Sequence, residues 1–191
     1  MARLATFIVL VAAGLWYTRR HVDPTLFKER LKPAGPTQDP AAMVAIRLAA
    51  FASVCVLVAD RRWLHWSDTV PLAAEWLGLL VFALAGALVV RSITVNRFFS
   101  SAVRIQTDRG HQLVAAGPYA YVRHPGYLGM IMMVPAVTLA GGSWIATAIA
   151  LVYSALIVRR AAIEDRFLQQ NLDGYRDYAA RVGYRLVPGV W

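Results

Sequence analysis

The sequence is poor in charge, in lysine and in cysteine, and each scarcity closes off a class of function. Charged residues make up 16% of the 191 positions and hydrophobic residues 58%; soluble domains carry about 25% and roughly 45–50% respectively. The lone cysteine, Cys55, excludes an intrachain disulfide and any cysteine-built metal cluster. Four scattered histidines (His21, His65, His111, His124) lack the spacing of a zinc site, so no metal is expected. Lysine occurs only at Lys28 and Lys32, although the net charge is +9. A basic balance can mark a nucleic-acid binder. Here the arginines flank apolar stretches instead of forming a patch on a soluble surface, and no nucleic-acid partner is expected. The excess of arginine over lysine, beside abundant alanine, points to a high-GC bacterial genome.

What the sequence does contain is five apolar runs, at 4–17, 41–59, 70–90, 127–140 and 144–158. The first is short for a span of about 20 residues. It lacks a strongly basic start and a small-residue cleavage site, so it is read as a membrane helix and not as a cleaved leader. Arg19 to Pro40 is a polar connection with four prolines. Arg47 sits early enough in the second run to snorkel to the interface. Gly141-Gly142-Ser143 separates the last two runs as a tight membrane hairpin. From Arg159 onward, Ala161, Leu168, Leu172, Tyr175, Ala179 and Val182 recur at spacings of three, four or seven, which predicts an amphipathic helix. Gly174 or Gly183 is expected to end or bend it. The expected fold is all-α integral membrane, a single domain over 1–191 with about five transmembrane helices.

Charge then orients the spans. If the chain alternates sides with its N-terminus outside, sixteen of the twenty cationic residues fall in the first loop, the third loop and the tail. Arg3, Arg61 and Arg62 fall on the other side. The positive-inside rule puts the three rich segments in the cytosol, so the third loop and the C-terminal helix face one compartment, across a membrane expected to be the bacterial inner membrane.

Those two segments also hold the unusual residues. The loop reads His111-Gln112-Leu113-Val114, then Gly117-Pro118-Tyr119, then Arg123-His124-Pro125-Gly126-Tyr127-Leu-Gly129. Proline interrupts backbone ladders and glycine allows backbone to approach a ligand; an interfacial loop with an aromatic belt would read similarly. On the tail, Arg160 and Glu164 are four apart and share a helix face. Glu164 also shares that face with Ala161 and Leu168, where a partly buried carboxylate needs a partner.

Gly117-Pro118-Tyr119 with Arg123-His124-Pro125-x-Tyr127-x-Gly129 resembles the signature of isoprenylcysteine carboxyl methyltransferases, whose wider relatives include phospholipid methyltransferases. The second family mark, an arginine followed after three residues by paired acids, is matched by Arg160 and Glu164-Asp165. Tyr175-x-x-Tyr178 and Arg185-Leu-Val-Pro188 also fit. The resemblance covers His111 to Pro188, and 104–188 is the expected catalytic segment. It implies S-adenosylmethionine as cofactor, held by a cytosolic loop, and a lipid-like or isoprenylated methyl acceptor within the membrane. Implied cofactor contacts are Gln106, His111, Gln112, Leu113, Val114, Tyr119, His124, Pro125, Gly126, Tyr127 and Glu164. Arg160 would meet the acceptor, and Arg160, Glu164 and His124 are the implied catalytic residues. The sequence departs from the family in the spacing between Gln106 and His111. It also has Asp165 where relatives usually carry a second glutamate, which leaves the role of Asp165 open.

These residue types suit methyl transfer. Positioning dominates such a displacement; a carboxylate acceptor needs no base and Arg160 could grip it in two-pronged fashion, whereas a phenol would need His124 or Glu164 as base. A thiol or amine acceptor is equally compatible. The rival reading is an NADPH-dependent membrane reductase of sterol type, which has its own His-Pro-x-Tyr-x-Gly string. Those enzymes usually carry an acid soon after Tyr-x-Gly, where Met130 stands here.

Overall fold

The computed structural model describes residues 2–22, 40–99 and 104–191. Most of the polar connection expected between Arg19 and Pro40 lies outside the described residues. The described helices are α1 (Ala2–His21), α2 (Pro40–Ala59), α3 (Leu72–Val95), α4 (Pro125–Ala140), α5 (Trp144–Asn171) and α6 (Tyr175–Arg181). The described residues include no strand. Among the described residues, three stretches are long and apolar enough to cross a bilayer: α2 with its extension to Leu64, α3 and α5. α4 is a shorter apolar helix between them. Leu48, Phe51, Leu80, Leu84 and Leu151 are exposed, as an apolar face turned toward hydrocarbon requires. Helices suit that solvent because each satisfies its own backbone polar groups. This is an all-α integral membrane fold.

Small residues set how closely the helices pack. A Cβ on Gly78 would lie 2.6 Å from Ala140 N, and one on Gly129 would lie 2.8 Å from the Ala85 carbonyl. α3 and α4 therefore touch backbone to backbone, the usual way to gain packing where lipid removes the hydrophobic drive. Pro135 inside α4 has no N–H for the carbonyl of Ile131. Ser154 of α5 fills the gap, donating its hydroxyl to Ile131 O at 2.7 Å.

At the far end of the bundle from the motifs, buried Asp60 accepts from Ser143 Oγ at 2.5 Å and from Trp66 N at 2.8 Å. Ser143 Oγ also caps α5 by accepting from Ala146 N. The Gly141-Gly142-Ser143 turn is thus fastened to the end of α2. Glu75, buried in the first turn of α3, pairs with Arg3 of α1.

The amphipathic segment expected from Arg159 is present, but as a continuation of the fifth span. α5 runs unbroken from Trp144 to Asn171, because Arg159 to Glu164 change polarity without weakening helix propensity. The break comes at Gly174, whose φ of 75° precedes α6. α3 likewise continues past the expected end at 90 to Val95. The outcome brings the end of α3, residues 104–124, the start of α4 and the second half of α5 together.

Candidate active site

The loop ahead of α4 is built around Gln106, which is fully buried. Its Nε2 donates to Phe98 O at 2.7 Å, its Oε1 accepts from Arg109 at 2.9 Å, and its carbonyl accepts from the backbone N–H of Arg109 and His111. The His111 ring lies on Phe98, with centroids 4.5 Å apart, and its Nδ1 accepts from Gln106 N at 3.3 Å. Burial first, and then the charges of Arg104 and Arg109, hold His111 below its ordinary value of 6.5. Further on, the Gly117–Ala120 turn buries Tyr119; its carbonyl accepts from the Tyr178 hydroxyl at 2.7 Å. Burial raises the phenols of Tyr119 and Tyr175, and that of Tyr178 to about 12.

α4 starts at His124 with Pro125 in its first turn, where a missing N–H costs nothing. Gly126 follows; a Cβ there would lie 2.4 Å from the Phe99 ring. Beside this turn lies a cavity between residues 111–119, the start of α4 and the second half of α5. Nine of the residues implied by sequence line it: His111, Gln112, Leu113, Val114, Tyr119, His124, Gly126, Tyr127 and Glu164. Three do not. Gln106 sits behind the wall as its anchor, Pro125 is buried at the helix start, and Arg160 stands outside the cavity beside Tyr127.

Tyr127 links the cavity to that outer position. Its hydroxyl donates to Glu164 Oε2 at 2.5 Å and accepts from Arg160 Nε at 2.8 Å. Arg160 also contacts the sulfur of Met43 on α2. One phenol therefore joins a carboxylate facing the cavity to a guanidinium facing the helix bundle.

Asp165 is the feature that sequence reasoning left open, and it organises the back of the site. Its side chain is 0% exposed. Oδ1 meets Arg123 Nε (2.8 Å), His124 Nε2 (3.2 Å) and the Tyr175 hydroxyl (3.0 Å). Oδ2 meets Arg123 (3.2 Å), Arg185 Nε (2.9 Å) and Gln169 Nε2 (2.8 Å). Arg123 also donates to the carbonyls of Val182 (2.8 Å) and Gly183 (3.0 Å), at the end of α6. The backbone N–H groups of Arg123 and His124 donate to the carbonyls of Tyr184 and Arg185. The C-terminal segment is thus clasped to the motif turn. A buried ion pair of this kind costs about 3–5 kcal/mol to break from one side. Tyr175 and Tyr178 complete the cavity wall; their three-residue spacing and the arginine preceding His124 were the available sequence signals.

The same stretch of chain carries a family signature. The profile of the isoprenylcysteine carboxyl methyltransferase (ICMT) family matches residues 76–170. This is an ICMT-like chain. The match runs from α3 to the end of α5 and includes the loop, the His124–Tyr127 turn and both acids. The protein-S-isoprenylcysteine O-methyltransferase of Schizosaccharomyces pombe is 30% identical over 100 residues, 50% of this chain and 42% of that protein. The cobalt-zinc-cadmium resistance protein CzcN of Cupriavidus metallidurans is 35% identical over 141 residues, 70% and 57%. The Delta(14)-sterol reductase TM7SF2 of Mus musculus is 37% identical over 90 residues, 46% and 22%. The ICMT-like chain therefore spans from about a fifth to just over half the length of these relatives.

Proposed function

We propose that this protein is an S-adenosylmethionine-dependent methyltransferase acting on a membrane-embedded, lipid-like acceptor by carboxyl O-methylation of the isoprenylcysteine type. The observation that carries the reading is the cavity at one end of the bundle, walled by the His111–Val114 loop, the His124–Tyr127 turn and Glu164. Its residues fit the cofactor's chemistry. Leu113, Val114, Phe98 and Leu172 offer apolar walls for an adenine, and Glu164 offers an acceptor for an amine or ribose hydroxyl. When bound, S-adenosylmethionine supplies a methyl group already activated on a sulfonium.

The chain's own work is then positioning and exclusion of water. Glu164 complements a cationic ligand by charge. Arg160, on the bundle side of Tyr127, holds the acceptor carboxylate, whose oxygen is nucleophilic without a base. An acceptor tail left among the helices lets its head reach a cofactor that arrives from the cytosol. Phospholipid, phenolic-lipid and thiol acceptors use the same layout, a phenol drawing on His124 or Glu164 as base.

A second reading, an NADPH-using membrane reductase, has the 37% identity to a sterol reductase in its favour. Met130, standing where such reductases usually carry an acid, speaks against it. The test is transfer of labelled methyl from S-adenosylmethionine into a lipid extract of a bacterial source. A lipid-like species gaining one base-labile methyl ester is expected. Label in no species, with NADPH consumed instead, would overturn the reading.

A further inference from the structure

The ring of His124 has two nitrogens in very different positions. Nε2 faces Asp165 Oδ1 at 3.2 Å and the Tyr175 hydroxyl at 3.4 Å. Asp165, held by two guanidinium groups, only accepts. The single hydroxyl hydrogen of Tyr175 is directed to Asp165 at 3.0 Å. Neither neighbour is left to donate, so Nε2 carries the ring hydrogen. Nδ1 has no hydrogen bond to any described residue, and the ring does not cap α4. Yet the residue is 6% exposed and forms part of the cavity wall. A buried acceptor without a partner is costly, and the cavity that His124 lines is where a partner can stand.

We propose that Asp165 is a positioning residue for His124: it fixes the Nε2–H tautomer, so that Nδ1 presents its lone pair to the cavity and accepts a hydrogen bond from an N–H or O–H of the bound nucleoside cofactor. This rests on the methyltransferase reading and adds a role to the second acid of the pair. Glu164 addresses the ligand directly; Asp165 addresses it through the imidazole. Arg123 and Arg185 keep the carboxylate an acceptor, and Gln169 holds its other oxygen. No bond to carbon is made or broken by either residue.

The test uses the full chain in detergent micelles with ¹⁵N-labelled histidine, the His124 signals assigned by their loss in His124→Gln. The expected spectrum shows the Nε2-protonated tautomer, with Nδ1 moving on saturation with S-adenosylhomocysteine. An Nδ1-protonated ring overturns the inference, as does an unmoved Nδ1 in protein that calorimetry shows to be saturated. Failure of the unaltered protein to bind S-adenosylhomocysteine overturns the methyltransferase reading and this inference together. In Asp165→Asn the new amide can donate to Nε2 and release the tautomer. There the expected loss is about tenfold in cofactor affinity, the size of one mismatched hydrogen bond, with acceptor KM unchanged. Should that variant not fold, the spectrum of the unaltered protein still decides.

Discussion

Successive residues on a helix point about 100° apart, and on α5 that angle separates two chemistries. Glu164 reaches Tyr127 and the cavity, while Asp165 reaches the arginines behind it. Glu164→Gln is expected to weaken S-adenosylhomocysteine binding by about tenfold, since a charge-assisted contact is worth about 1.5–3 kcal/mol; calorimetry measures it. Arg160→Ala should leave that affinity within about twofold and remove turnover, because Arg160 lies outside the cavity. Loss of cofactor binding in that variant would reassign Arg160. His111 gives a pH signature. Its ring is held below 6.5 by burial, Arg104 and Arg109, so the loop is fully stabilised above about 6.5 and loses that contribution as pH falls through the lower folded value. Cofactor affinity should therefore be flat on the alkaline side of 6.5 and decline on the acid side. His111→Asn should flatten the acid limb.

At the scale of elements, the close approach of α3 and α4 positions the start of α4, and with it His124 and Tyr127. Gly129→Val would drive a branched side chain into the Ala85 carbonyl and Val89, so thermal stability in detergent and cofactor affinity should fall together. Ser154→Ala would leave the Ile131 carbonyl unpaired beside Pro135, at a cost of about 1 kcal/mol read as a lower unfolding midpoint with binding retained. Sequence made the helices legible where polarity and backbone agree: the apolar runs at 41–59, 70–90 and 127–140 lie within, or close to, α2, α3 and α4. It was silent where they part, as at Arg159, where polarity changes and the helix continues. Pairing across long separations was equally hidden. Arg123 and Asp165 are 42 positions apart, and no periodicity links them. Gln106 and Pro125 lie close to wall residues in sequence, yet do not line the cavity. The short spacings succeeded because a loop or a helical turn brings its own neighbours together.

For the whole molecule, antiparallel neighbours put residues 104–124, Glu164 and the C-terminal segment at one end, and Asp60, Ser67 and Ser143 at the other. On the orientation expected from the positive-inside rule, the end that carries the site faces the cytosol. A fluorescent protein fused after Trp191 should therefore fold and fluoresce in the cytosol, and a periplasm-dependent phosphatase at the same point should be inactive. Relatives named as a methyltransferase and as a sterol reductase each match about half of this chain, so similarity alone does not choose the chemistry; the cavity's occupant does. The direct test is calorimetric titration of the purified chain with S-adenosylhomocysteine and, separately, with NADPH. The account predicts saturable binding of S-adenosylhomocysteine at one per chain, weakened by Glu164→Gln, and no heat from NADPH. Saturable binding of NADPH with none of S-adenosylhomocysteine would contradict it.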